Sequence, residues 1–214
     1  MNYKRIHTNG IECLEKLQGT DEWYWGSDYC SGDLYEAEEL FQRHHTVSGN
    51  RLVFVKYPEG KVVEPVPGRE GQYFGTPVYD DGAIMILLAD FHQNKICVMR
   101  YEDDAQALEC LLEMDRSEIS DCYNLLVRTS PLYLSRDGNE GEYEILWPQR
   151  STFQTEENET VFQREGDYLI STRWYEVPEY HEETMIRRYP SGELLERIPG
   201  QMMELPDRQK WIVG

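Results

Sequence analysis

The stretch YPEGKVVEPVPG at residues 57–68 reappears in altered form as YPSGELLERIPG at residues 189–200. Six of the twelve aligned positions are identical, and three more exchange one aliphatic residue for another. In both copies a Gly-containing turn leads directly into an apolar pair, which is typical of a β-hairpin. The recurrence predicts that one hairpin design is used repeatedly in a fold made of β-strands.

Weaker copies of this segment occur along the chain, and each begins at a residue with a ring side chain. A second element lies between them, rich in aromatic residues and often followed by Gly, as in WYWG at residues 23–26. Together with apolar runs such as residues 83–89, these elements give about four strands in a period of about 44 residues. The five anchor positions are His7, Tyr57, Tyr101, Trp147 and Tyr189.

A repeat of four antiparallel strands every 40–50 residues or so resembles a β-propeller, in which each blade is a small sheet of this size. The resemblance is to the architecture and to no named family, because the blade signatures of the common families are absent. We therefore predict an all-β, propeller-like array of about four to five small antiparallel sheets. Residues 1–214 would form a single domain of degenerate repeats. The alternative is another antiparallel sandwich or barrel, and a mixed α+β fold is a further possibility.

One segment departs from the strand pattern and predicts a short helix near residues 34–43. Apolar residues recur there at helical spacing, Asp33 stands at the N-cap position, and Glu36 follows three residues later as in a capping box. Residues 103–114 also fit a helical period, whereas the repeat predicts a strand there, so both assignments stay open.

Composition excludes several classes of protein. The chain has 214 residues, with 21 Lys and Arg against 40 Asp and Glu, for a formal net charge of −19. Such a charge disfavours nucleic acid and anionic membrane surfaces as partners, and the sequence holds no apolar run long enough to span a bilayer. The five cysteines form no C-x-x-C pair and the N-terminal residues show no secretory signal, which together predict a cytoplasmic protein with reduced thiols. They are Cys13, Cys30, Cys97, Cys110 and Cys122.

The usual catalytic and nucleotide-binding motifs are absent, and neither a metal site nor a cofactor is predicted. The most informative side chains lie at the starts of the aromatic strands, where rings with nearby Arg and Asp could stack on and hydrogen-bond a sugar or a peptide. The alternative for these rings is packing between sheets. The candidate ligand-binding residues are Trp25, Asp28, Tyr73, Arg128, Arg173 and Trp174.

These observations favour a non-enzymatic module that binds a ligand or a protein. Its acidic surface suits a basic protein partner, and its aromatic strand starts suit a small polar ligand. The alternative is a carbohydrate-active or other hydrolytic enzyme that uses carboxylates near the aromatic strand starts. The charge could also serve solubility alone.

Overall fold

The computed structural model describes residues 3–28, 32–138, 140–205 and 209–214. The chain divides into two compact units, Met1–Val127 and Arg128–Gly214, and each unit has a hydrophobic core of its own. That the whole chain forms one domain of 44-residue repeats stays a prediction.

The unit Met1–Val127 is built on two antiparallel sheets. The first sheet has the strand order β1-β2-β3-β4, and the second has the order β5-β7-β8-β9, with β6 also paired to β7. Trp25, Phe54 and Ile86 are among the buried side chains of its core. The strands are β1 (Glu15–Lys16), β2 (Trp23–Ser27), β3 (Leu52–Lys56), β4 (Lys61–Val63), β5 (Gln72–Phe74), β6 (Val78–Asp80), β7 (Ala83–Asp90), β8 (Lys95–Glu102) and β9 (Ala107–Asp115).

The unit Arg128–Gly214 contains the remaining sheets, and the boundary between the units falls within β10. Two sheets have the orders β10-β11-β12-β13 and β14-β15-β16-β17, and a hairpin pairs β18 with β19. The core of this unit is formed around Tyr133, Tyr143 and Leu169. The strands are β10 (Leu126–Arg128), β11 (Tyr133–Asp137), β12 (Glu142–Trp147), β13 (Ser151–Gln154), β14 (Glu159–Glu165), β15 (Tyr168–Tyr175), β16 (His181–Arg188), β17 (Leu194–Pro199), β18 (Gln201–Glu204) and β19 (Lys210–Val213).

The repeat found in the sequence corresponds to one position in four successive sheets. Tyr57 follows β3, Tyr101 lies near the end of β8, Trp147 ends β12, and Tyr189 follows β16, so each anchor lies at the end of a third strand. The fifth anchor was wrong, because His7 precedes all the described strands and β1 pairs with β2 rather than with an earlier hairpin.

All the pairings between strands in these sheets are antiparallel, and consecutive strands are neighbours as in a propeller blade. The prediction of an all-β, propeller-like array of small antiparallel sheets is therefore confirmed, as is its one short helix. That helix, α1, spans Leu34–Gln42, and it begins with the expected capping box between Asp33 and Glu36. Within the described ranges, no helix is long and apolar enough to cross a membrane.

The ambiguous segment at residues 103–114 forms a turn followed by strand β9. Eight residues of β9 pair with β8, and this ladder satisfies the backbone groups that a helix would otherwise have satisfied within itself. The helical spacing of apolar residues was therefore misleading, because burial at the edge of this sheet is uneven. Asp103 stands in the turn and forms ion pairs with Lys56 and Lys61.

Gly19 allows a loop of the first sheet to contact the second sheet of the same unit. The Tyr79 amide donates a hydrogen bond to the Gln18 carbonyl oxygen at 2.8 Å. Gly19 has a φ of +95°, and a Cβ atom there would lie 2.1 Å from the Tyr79 carbonyl oxygen. Only glycine combines this backbone conformation with so close an approach.

Candidate functional site

A cavity of about 240 Å³ opens within the unit Met1–Val127. Its volume lies just below the range of pockets that hold drug-sized ligands, so it suits a smaller molecule. The walls combine aromatic rings with a few amide and hydroxyl groups. The lining residues are Trp25, Ser27, Asp33, Leu34, Tyr35, Asn50, Leu52, Tyr73, Phe74, Gly75, Thr76, Cys122, Asn124, Leu125 and Leu126.

One wall exists because an edge strand is interrupted. β5 pairs with the second half of β7 and β6 pairs with the first half, so the two short strands follow one line with Gly75, Thr76 and Pro77 between them. Proline has no amide hydrogen and cannot continue the ladder. A Cβ atom at Gly75 would lie 2.8 Å from Leu87 Cδ2, so the chain runs close over β7 there. The interruption exposes Gly75 and Thr76 to the cavity.

The buried amide of Asn50 fixes the neighbouring wall. Asn50 is only 1% exposed. Its Nδ2 donates to the Phe74 carbonyl oxygen at 3.0 Å, and its Oδ1 accepts from the Phe74 amide at 2.7 Å. A further contact joins Nδ2 to Ser27 Oγ at 3.3 Å. Because these groups are removed from water, the Asn50 side chain holds Phe74 in place and is already committed within the protein.

The start of α1 brings a carboxylate to the rim. Asp33 Oδ1 accepts a hydrogen bond from the Glu36 amide at 2.8 Å, and Glu36 Oε2 accepts one from the Asp33 amide at 2.8 Å. The hydroxyl of Tyr73 donates to the Gly32 carbonyl oxygen at 2.5 Å and so holds the residue that precedes Asp33. Asp33 is exposed, and among the described lining residues it is the one that carries a carboxylate.

Cys122 lines the cavity but is a poor nucleophile. Burial raises the pKa of its thiol strongly, and the nearby Glu38 carboxylate raises it further. Glu38 is fully buried, accepts a hydrogen bond from the Cys122 amide at 2.5 Å, and forms an ion pair with Arg116. Since the thiolate is the reactive form of cysteine, this site keeps Cys122 protonated and unreactive.

Two of the six predicted ligand-binding residues, Trp25 and Tyr73, line the cavity. Asp28 belongs to the same unit but is not part of the lining. It is exposed, and its Oδ1 accepts a hydrogen bond from the Arg51 amide at 3.0 Å.

The other three predicted residues belong to the unit Arg128–Gly214. Arg128 Nε donates to Ser135 Oγ at 3.1 Å, and Arg173 forms an ion pair with Glu156. Arg173 and Trp174 are adjacent on β15, and adjacent strand residues project from opposite faces of a sheet. A binding role for these residues stays a prediction.

Sequence reasoning missed several residues of the cavity. Asp33 was identified only as a helix cap, and Asn50, Thr76 and Asn124 were not identified at all. The combination of Gly75 with Pro77 inside an aromatic segment was an available signal, because it predicts that a strand is interrupted there. No local pattern marks Asn50, whose role depends on Phe74, 24 residues later.

A second cluster of polar groups lies in the interior of the unit Arg128–Gly214. Glu159 is paired with Arg187 through two hydrogen bonds of 2.7 and 2.6 Å, and it also accepts one from Ser171. Desolvation would raise the pKa of Glu159, but the hydrogen bond from Arg187, one from the Glu156 amide and that from Ser171 outweigh it and lower the pKa. Both carboxylate oxygens are therefore committed to a structural ion pair.

Asp137, in the same unit, behaves in the opposite way. Burial raises the pKa of this carboxyl, Arg128 and Arg136 lower it, and Glu159 raises it. The net direction is upward, so the charged form of Asp137 is disfavoured in the folded protein. Across the described part of the chain, no group of three or more His, Cys, Asp and Glu side chains is placed to hold a metal ion.

Comparison with known proteins gives one structural similarity. No family model and no curated protein matches the chain. Among solved structures, one described in its title as a "putative 6-phosphogluconolactonase" from Bacteroides uniformis matches with a TM-score of 0.35 and 10% identity. The match covers 90% of this chain and 74% of that one.

This comparison contradicts the prediction of a non-enzymatic binding module with an acidic surface for a basic protein. The matching structure is titled as an enzyme of hydrolytic type, which favours the alternative prediction of a hydrolytic enzyme. At a TM-score of 0.35 the similarity carries no argument about substrate or catalytic residues. The chemistry must therefore come from the cavity itself.

Proposed function

We propose that this chain is a hydrolytic enzyme that acts on a small polar substrate bound in the cavity of the unit Met1–Val127, with Asp33 as the general base. The observation that carries the proposal is the carboxylate of Asp33 at the rim of a cavity lined by Trp25 and Tyr73. A carboxylate beside flat aromatic walls can take a proton from water while the rings hold the substrate.

The number of carboxylates favours cleavage at a carbonyl centre. A glycosidase uses two carboxylates about 5–10 Å apart. Among the described residues that line the cavity, Asp33 alone supplies one. Hydrolysis of an ester needs a single base to activate the attacking water, so it fits this set of groups better.

The reaction follows from the groups at hand. Asp33 Oδ1 is engaged with the Glu36 amide, whereas Oδ2 accepts no hydrogen bond from a described residue and can take the proton of a water molecule. The water oxygen then bonds to the carbonyl carbon of the substrate. The resulting oxyanion re-forms the carbonyl and expels the alcohol, which recovers the proton from Asp33.

Neutral donors in the lining can assist the oxyanion. The Glu39 carboxylate and burial both raise the pKa of Tyr35, so its hydroxyl stays protonated and can donate a hydrogen bond. The exposed Thr76 hydroxyl and Asn124 amide are further donors. Such donors contribute most when they are held in place before the charge develops.

A cytoplasmic location and a small polar ligand as partner are parts of the same proposal. Cys13, Cys97, Cys110 and Cys122 are free thiols, which is the state that a reducing compartment maintains. Cys30, the fifth cysteine of the prediction, lies outside the described residues.

The test compares two Asp-to-Asn variants on the purified chain. Asp33→Asn removes the base but keeps a good N-cap residue, so α1 should stay intact. Asp115→Asn makes the same change at a second capping box, at the N-cap of the short 3₁₀ helix Arg116–Glu118, and Asp115 does not line the cavity. The substrates are p-nitrophenyl acetate, p-nitrophenyl butyrate and p-nitrophenyl β-glucoside.

We expect hydrolysis of an ester by the unmodified chain and a loss of about 10²-fold or more in kcat for Asp33→Asn. The Asp115→Asn variant should stay within about two-fold of the unmodified rate. Equal rates for Asp33→Asn and the unmodified chain, with melting curves showing both folded, would overturn the role of Asp33. The absence of turnover on all three substrates would overturn the proposed ester hydrolysis.

A further inference from the structure

We infer that the cavity of the unit Met1–Val127 selects an uncharged, hydroxyl-rich ligand, such as an unmodified monosaccharide, and rejects the phosphorylated form of the same ligand. The inference rests on the proposed function only for calling this ligand a substrate. The selectivity itself comes from the charges that surround the cavity.

The lining has polar groups but no cation. Ser27, Thr76 and Asn124 supply hydroxyl and amide groups, whereas Asp33 is the one charged side chain among the described lining residues. Hydroxyl and amide groups can both donate and accept, which suits the hydroxyl groups of a sugar. A phosphate group would gain no charge-assisted hydrogen bond from these residues and would instead meet the carboxylate of Asp33.

The start of α1 is the feature that could have attracted an anion, because the first amides of a helix carry a partial positive charge. Here two carboxylates already occupy that position. Asp33 Oδ1 accepts from the Glu36 amide, and Glu36 Oε2 accepts from the Asp33 amide. The positive end of α1 is therefore compensated by the chain itself and has little to offer a phosphate.

The arginines that adjoin the lining elements are committed elsewhere. Arg116 is paired with the buried Glu38, and Arg51 forms a two-point pair with Glu64 through hydrogen bonds of 2.9 and 2.8 Å. Arg43, at the end of α1, lies 3.4 Å from Glu39. The formal charge of −19 over the whole chain adds a general repulsion of anions.

The aromatic side chains complete the match to a neutral sugar. Trp25, Tyr35 and Tyr73 present ring surfaces to the cavity. The carbon–hydrogen faces of a sugar ring are apolar and can lie on such surfaces, while the hydroxyl groups at the ring edge reach polar groups. The small volume of the cavity limits the ligand to about one ring.

The test is isothermal titration calorimetry with three neutral sugars and their phosphates, measured without reference to hydrolysis. The probes are D-glucose, D-galactose and D-mannose, each compared with its 6-phosphate at low salt. We expect at least one neutral sugar to bind and its 6-phosphate to bind at least ten-fold more weakly. Added salt of about 0.3 M should reduce this difference, because it screens exposed charges.

A variant pair locates the discrimination. Asp33→Asn should reduce the difference between a neutral sugar and its phosphate several-fold, because it removes the charge nearest the ligand. Asp115→Asn makes the same change away from the cavity and should leave the difference within about two-fold, since exposed charges at a distance are screened.

The inference is overturned if no neutral sugar binds, or if a 6-phosphate binds as tightly as its parent sugar. It is upheld if the sugar binds with the stated selectivity, even when no ester is hydrolysed. In that second case the proposed hydrolytic activity fails while the ligand class stands. The two proposals therefore have distinguishable failures.

Discussion

The side-chain amide of Asn50 pairs with the backbone of Phe74 as a neighbouring strand would, through hydrogen bonds of 3.0 Å and 2.7 Å. One side chain thus satisfies both backbone groups of a residue beside the interruption between β5 and β6. The pairing is buried, so its loss would leave two polar groups of Phe74 without water or a protein partner.

Replacing Asn50 by Ala should therefore lower the free energy of unfolding by about 2–4 kcal/mol, and sugar binding should weaken in parallel. Chemical denaturation followed by tryptophan fluorescence measures the first effect. Ser27→Ala removes only the contact at 3.3 Å and should cost clearly less. Equal losses for the two variants would contradict the assigned role of Asn50.

The Glu159–Arg187 pair should be sensitive to the removal of one partner. Both side chains are buried, and Glu159→Gln would leave the Arg187 guanidinium without its counter-charge. We expect a loss of about 3–5 kcal/mol in the free energy of unfolding. Glu193→Gln breaks the exposed pair with Arg188 and should cost about 0–1 kcal/mol, so it serves as the matched control.

The same pair predicts an acid dependence of stability. The pKa of Glu159 is lower in the folded protein than in the unfolded chain, so its stabilising contribution is fully present above the unfolded value. That contribution is lost as the pH falls through the folded value. The difference in unfolding free energy between the unmodified chain and Glu159→Gln should be largest above about pH 5 and shrink at lower pH. A difference that does not change with pH would contradict this assignment.

Asp137 should show the opposite sign. Its pKa is raised in the folded protein, mainly by burial, so its ionisation costs stability as the pH rises through the folded value. Asp137→Asn should therefore raise the free energy of unfolding at pH 7 relative to the unmodified chain. Below the usual pKa of aspartate, about 3.9, the gain should disappear. A destabilised variant at pH 7 would show that Asp137 is needed as a charged group.

Two glycines separate backbone strain from steric contact. Gly19 and Gly82 both have a positive φ, but only Gly19 lies against another group, the Tyr79 carbonyl oxygen, whereas a Cβ atom at Gly82 meets nothing within 4 Å. Gly82→Ala should cost about 1–2 kcal/mol from its conformation alone. Gly19→Ala should cost more than about 4 kcal/mol, since the backbone must also move. Similar melting temperatures for the two variants would contradict the close approach.

The sequence was most informative where one design is repeated. The aromatic anchors at Tyr57, Tyr101, Trp147 and Tyr189 lie at equivalent strand ends because the same turn chemistry recurs there, and a capping box is visible within four residues. His7 failed because the pattern around it has turn residues but no strand partner. Local composition indicates a turn without showing whether another strand pairs with it.

The cavity was harder to predict because its groups come from distant parts of the sequence. Trp25 and Tyr73 were identified by their rings, whereas Asn50 and Cys122 become lining residues only through long-range contacts. Asp33 shows how one residue can carry a clear local signal for a helix cap and still have its chemical role determined by surroundings that the local pattern does not contain.

The order of strands in each sheet bears on how the chain is synthesised. Because the strands of a sheet follow one another directly, every partner of that sheet has left the ribosome within a few tens of residues. Closing such short loops costs little chain entropy, and local pairing favours rapid folding. A nascent chain can therefore complete its earlier sheets while later ones are still being translated, which shortens the time that strand edges are open to aggregation.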